Sequence, residues 1–174
     1  LHLTSEEKGI LRDAARLHDV GKIGIPDEIL LKPEKLTERE VAIMNRHPEV
    51  GESIIKPIRF LKSLCDIVRH HHEKLDGSGY PDGLKGDEIS SLVRITTVAD
   101  IFDALTTDRP YRKKFSFEDA CGILRSMKDK LDQRVVEAGD IVQPVEEGDD
   151  LAVLLGFAQL LGAAVQVADV RLGL

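Results

Sequence analysis

The chemistry in this 174-residue chain concentrates in its histidines and the carboxylates near them. His18 is followed directly by Asp19 and His71 directly by His72, while His47 and Asp100 stand singly. A lone inward-facing histidine is more often a hydrogen-bonded core residue than a ligand. An adjacent pair is harder to explain that way, because each buried polar group left unpaired costs about 1–3 kcal/mol. His18, His47, His71 and His72 with Asp19 and Asp100 make a nitrogen-and-oxygen donor set. That set suits iron, manganese or zinc better than calcium or magnesium, which favour oxygen alone. With two carboxylates, one able to bridge, it is large enough for two metals. His2 and His70 read as ordinary surface histidines. Asp103, one helical turn beyond Asp100, either orients a ligand or packs and caps.

The elements that must position these residues are helical almost throughout. Thr4 with Glu7 forms a capping box, and Ile10, Leu11, Ala14 and Leu17 carry an apolar face toward His18. Thr37 with Glu40 opens a helix leading to His47; Pro48 suits the first turn of the next, with Val50, Ile54 and Ile55 inward. Leu61, Leu64, Cys65, Val68, His71 and His72 recur at helical spacing, so both histidines continue one core-facing stripe and His70 turns off it. Further helices run from about Ser91 to Leu105 and onward from Ser116, where Phe117, Ala120, Cys121, Leu124, Met127 and Leu131 share a face. Asp76 to Gly83 holds three glycines and a proline, a chain reversal. No alternating strand pattern competes, so the predicted fold is all-α.

Composition narrows the function classes. A net charge of −7, five Phe, two Tyr and no Trp argue against binding a nucleic-acid polymer. Cys65 and Cys121 fall on apolar helical stripes, as free thiols do in a reducing cytosol, and no signal peptide opens the chain. The expected location is cytoplasmic. Leu151 to Val170 is apolar but interrupted by Gln159, Gln166 and Asp169, which suits a buried or partner-facing helix better than a membrane span. The expected plan is a helical domain over residues 1–138, an acidic linker over 139–150 and an apolar, helical tail over 151–174. The first residue is Leu1, so the chain reads as a fragment of something longer.

The motifs resemble those of a known family. His18-Asp19-Val20-Gly21-Lys22 is similar to the HDxGK signature of HD metal-dependent phosphohydrolases, and His71 to Pro81 is similar to the HHExxDGxGYP signature of the HD-GYP family. Ile23 to Pro26, Lys32-Pro33, Leu36-Thr37, Val98 to Thr106 and Arg109 to Arg112 match as well, in order, over about residues 9 to 138. The resemblance implies an HD-domain helical bundle with a binuclear or trinuclear centre of divalent ions between helices. Iron or manganese stands first there, with zinc or nickel as alternatives. It implies hydrolysis of cyclic di-GMP, a bacterial second messenger, to the linear dinucleotide and then GMP. By position, His18, Asp19, His47, His71, His72 and Asp100 fall on the family's metal ligands, Asp19 on the bridging one. Lys22 falls on the lysine near the scissile phosphate, and Tyr80, Arg109 and Arg112 on positions that meet the substrate's base and phosphates. Asp19 and Lys22 are thereby the expected catalytic pair. Two metals about 3.5–4 Å apart acidify a water for in-line attack on phosphorus, while Lys22 stabilises charge on the oxygens. Arg109, Arg112, Lys113 and Lys114 supply a local positive field despite the acidic whole.

Departures are few. Glu34, Leu75 and Ser90 replace residues that are often Gly, Trp and Pro. The family has a further histidine on a helix upstream; His2 lies too close to His18 to match it. A metal short of that ligand would take a water or anion instead. The apolar face of Ile10, Leu11, Ala14 and Leu17 would be partly bare without the preceding helices, and residues 151–174 are the segment expected to cover it, within one chain or across a homodimer. Expected partners are a sensor or receiver domain upstream and cyclic di-GMP synthase domains docking on the GYP loop. Two other readings stay open: a catalytically silent signalling module, and a phosphohydrolase for another cyclic dinucleotide or a nucleotide.

Overall fold

The computed structural model describes residues 2–108 and 112–140, and every regular element among them is helical. The tail over 151–174 and most of the expected linker lie outside the described residues. Helix α1 (Ser5–Leu17) opens on the capping box of Thr4 and Glu7, and α3 (Glu38–Met44) on an equivalent box of Thr37 and Glu40. Between them come a 3-10 turn, Val20–Gly24, and the short α2 (Asp27–Leu30). Helix α4 (His47–Ile55) begins on His47-Pro48, where a proline costs nothing because its missing N–H has no partner in the first turn. Helices α5 (Cys65–His70), α6 (Ser91–Thr106), α7 (Phe117–Ser126) and α8 (Gln133–Asp140) follow, with α6 and α7 capped by Ser90 and Ser116. Helix α8 runs two residues past the expected domain boundary at 138.

Helix α6 is the central member, packing against α1, α5, α7 and α8. Its buried Val93, Ile95, Val98 and Leu105 join Leu11, Ala14, Ile67, Val68, Ala120, Leu124 and Val135 in one core. A satellite cluster of Ile25, Ile29 and Met44 ties α2 to α3. The Leu61-to-His72 stripe is divided: a 3-10 turn, Arg59–Leu64, precedes α5, which ends at His70 with His71 as its cap. Both histidines still face inward, at 0% and 7% exposure. One expectation needs correction: Ile54 is exposed, and the inward face of α4 is His47, Pro48, Gly51 and Ile55. On α1, Leu11 and Ala14 are buried, with Ile10 and Leu17 half-buried against the same core. The segment expected to cover that face, 151–174, lies outside the described residues.

Backbone proximity explains one motif glycine. A Cβ on Gly21 would collide with the His47 carbonyl and the Gly51 amide. The turn after Asp19 therefore lies directly on the first turns of α4, which brings Asp19 and His47 together.

Candidate metal centre

Five elements deliver the six residues singled out by their chemistry. His18 caps the end of α1, Asp19 opens the following turn, His47 starts α4, His71 and His72 end α5, and Asp100 lies within α6. The C-termini of α1 and α5 thus meet at the cluster, and the partial negative charge of their carbonyl ends favours a cation there.

The imidazoles are held in one tautomer. Nδ1 of His18, His47 and His71 lies 3.0, 2.9 and 3.0 Å from the carbonyls of Ala15, Met44 and Val68. A carbonyl only accepts, so each Nδ1 carries a proton and each Nε2 is left to face the centre. Nε2 of His47 and His71 are 3.4 Å apart. His18 Nε2 is buried with no hydrogen-bond partner among the described residues. Converging lone pairs with an orphaned nitrogen are costly in a protein interior and natural around a cation.

Asp19 divides its two oxygens. Oδ1 lies 3.2 Å from His47 Nε2 and 3.8 Å from His71 Nε2, while Oδ2 lies 3.4 Å from His18 Nε2 and 2.6 Å from Lys22 Nζ. Donor atoms of Asp19, His47, His71 and His72 all fall within 4.8 Å of one another. Asp100 closes the other side, 3.8 Å from His18 Nε2 and 3.7 Å from His72 Nδ1. Asp19 thus turns one oxygen toward His47 and His71 and the other toward His18 and Lys22.

The electrostatics fit a site built for positive charge. Burial opposes a charge on His18, yet Asp19 and Asp100 outweigh it and push the imidazole up to about 9, so its Nε2 holds a proton that a bound cation would displace. Burial likewise opposes charge on Asp19, but His18 and Lys22 hold it well below the ordinary carboxylate range. His71 and His72 are driven well below the ordinary histidine value by burial and by neighbouring imidazoles, so they stay neutral and able to ligate.

The substrate-side residues are placed unequally. The Tyr80 ring stacks on His72 at 4.7 Å and 27° and meets His47 edge-on at 6.4 Å. Burial beside Asp100 and Asp19 keeps its phenol neutral by raising its pKa. Arg112 is turned to the end of α6, where it donates to the Ala104 and Leu105 carbonyls, and its guanidinium lies over Phe115. Arg109 lies outside the described residues. Asp103 is buried and accepts from Thr107 Oγ1 at 3.4 Å. Thr97 Oγ1 donates to the His71 carbonyl at 2.8 Å, fixing the backbone of a ligand candidate from α6. His70 is not an ordinary surface histidine: its ring lies between Asp66 and Asp82, 2.9 Å from each. Its spacing off the core stripe hides this, because Asp82 arrives from a distant turn.

Comparison with known proteins agrees with this geometry. The profile of the HD domain family matches residues 1–135. The cyclic di-GMP phosphodiesterase response regulator RpfG of Xanthomonas campestris is 47% identical over 141 residues, covering 79% of this chain and 37% of that protein. A cyclic di-GMP phosphodiesterase of Thermotoga maritima is 48% identical over 130 residues, covering 72% and 35%. The 3′3′-cGAMP-specific phosphodiesterase 3 of Vibrio cholerae is 45% identical over 124 residues, covering 71% and 27%. The chain spans well under half the length of these relatives.

Proposed function

Because the chain belongs to the HD domain family, in its HD-GYP branch, we propose that it is a metal-dependent phosphodiesterase that opens cyclic di-GMP to the linear dinucleotide and then to GMP. The observation that carries this reading is the division of the Asp19 oxygens between two groups of imidazoles, with Lys22 at 2.6 Å. His18, His47, His71, His72, Asp19 and Asp100 would hold two or three divalent ions, iron or manganese first. Bound there, such ions supply Lewis acidity toward a phosphoryl oxygen and a water acidified to near-neutral pKa. The chain's own residues do the rest. Asp19 fixes the spacing of the two donor groups. Lys22, already beside the Asp19 carboxylate, places its ammonium where charge grows on the phosphoryl and leaving oxygens. Tyr80 offers a flat face and a neutral hydroxyl to the dinucleotide at the rim. Arg109 is assigned to a phosphate. Arg112 joins it only by leaving the α6 carbonyls that hold it.

Purification without oxygen, metal analysis and turnover of cyclic di-GMP test the proposal together. Stoichiometric metal with formation of the linear product supports it, and loaded protein inert toward every cyclic dinucleotide overturns it. A second substrate, 3′3′-cGAMP, belongs in the same assay, because three of the relatives carry that name. Arg109→Ala is expected to raise KM and leave metal content unchanged. Cytoplasmic location suits the two free cysteines, and no helix among the described residues is long and apolar enough to cross a membrane. An upstream receiver domain accords with the response-regulator name of the Xanthomonas relative, 37% of which is matched by this chain. Synthase docking on the GYP loop and homodimerisation are further parts of this reading; pull-down with a synthase domain and solution mass test them.

A further inference from the structure

Tyr80 reaches the cluster on a glycine-rich loop, and that loop is gripped from beneath by residues outside the donor set. Glu73 is 1% exposed, and its carboxylate accepts the backbone N–H groups of Asp82, Gly83 and Leu84 at 2.7, 3.0 and 3.1 Å. A buried carboxylate is costly unless its lone pairs are filled, and here three loop amides fill them. The Asp82 carboxylate is held in turn by Arg69 through Nε at 2.7 Å and the terminal nitrogen at 2.8 Å, and by His70 Nε2 at 2.9 Å. Arg69 also donates to Glu52 of α4 at 2.9 Å. His70 Nδ1 lies 2.9 Å from Asp66, whose other oxygen accepts from Ser90 Oγ at the start of α6. Gly79 rests on the His72–Glu73–Lys74 backbone so closely that any Cβ there would collide with it. Three helices therefore fix both flanks of Tyr80, and the ring lies flat on His72.

We propose that Glu73 and the Asp82–Arg69–His70 clasp are positioning residues, which hold the Tyr80 ring over His72 so that the dinucleotide meets it already oriented. This rests on the reading of Tyr80 as a substrate contact. A loop with glycines at 77, 79 and 83 has wide conformational freedom of its own. The clasp removes that freedom before substrate arrives, so its effect falls on binding rather than on the phosphoryl step.

Asp82→Asn and Glu73→Gln test this in the metal-loaded protein. Each is expected to raise KM for cyclic di-GMP about 10-fold while kcat stays within about 2-fold and metal content holds. In a Tyr80→Ala background, neither should raise KM further, since residues acting through Tyr80 have nothing left to position. A readout independent of turnover is the ring-current shift on the His72 imidazole protons in the zinc-loaded protein. It should vanish in Tyr80→Ala and shrink in both clasp variants. Additive KM losses, metal lost in step with KM, or an undiminished ring-current shift would each overturn the proposal. If the wild-type protein turns over no cyclic dinucleotide, the functional reading fails, and the clasp is decided by the ring-current shift alone.

Discussion

Asp19 and Lys22 sit 2.6 Å apart yet should fail in different ways. Asp19→Ala removes the carboxylate shared by both donor groups. Metal content and hydrolysis should then fall together, by more than the roughly 10–100-fold typical of losing an outer hydrogen-bond partner; full metal by elemental analysis would contradict this. Lys22→Met leaves every donor atom in place, so metal should stay bound while kcat drops about 10²–10³-fold, the usual cost of one lost charge-stabilising group. At this scale the sequence spoke clearly where chemistry demands a residue type. His18-Asp19 and His71-His72 resist replacement by a bland core pair; in the structure Asp19, His47, His71 and His72 fall into one group, with His18 and Asp100 beside it. It spoke poorly where a side chain is satisfied from far along the chain. His70 finds Asp82 twelve residues on, and Glu73 finds backbone amides up to eleven residues on. Backbone amides leave no trace in residue types.

The helices show the same division. The capping boxes at Thr4 and Thr37 were legible because they are local; the first opens the helix that ends at His18, and the second the helix that precedes His47. Thr37→Ala should cost about 1 kcal/mol in chemical denaturation. The break between the Arg59–Leu64 turn and α5 was not legible, since a 3-10 turn and an α-helix share nearly the same apolar spacing. Nor was the exposure of Ile54, which depends on α4 turning His47 and Gly51 inward. Gly21 carries a sharper expectation, because its neighbours there are backbone atoms that cannot rotate away. Gly21→Ala should force α4 off the turn at Val20–Gly24, lowering stability by about 1–3 kcal/mol and loosening metal through displacement of His47. A variant with unchanged melting temperature and unchanged metal affinity would show that contact to be softer than its geometry.

At the scale of the fold, an ion network fastens α8, the last helix among the described residues, to α6. Asp132, buried and bound by Arg134 at 2.7 Å and by Arg94 at 3.2 Å, is held at about 2 against an ordinary 3.8. A carboxyl depressed by folding stabilises the folded state above its unfolded value and loses that contribution as pH falls through the folded one. The stability difference between wild type and Asp132→Asn should therefore be full above pH of about 4 and close toward about 2; a difference independent of pH would contradict this. The six donors, meanwhile, run from residue 18 to residue 100 and belong to four separate segments. An ion gripping them ties those segments into one knot, and ligand at 100 times its dissociation constant adds about 2.7 kcal/mol to folding. Pulse proteolysis with and without chelator should show cleavage rising as the ion is withdrawn. In a cell starved of metal, then, the supply of the ion would govern how long each copy survives its proteases, and scarcity would thin the abundance of the protein as well as silence the copies that remain.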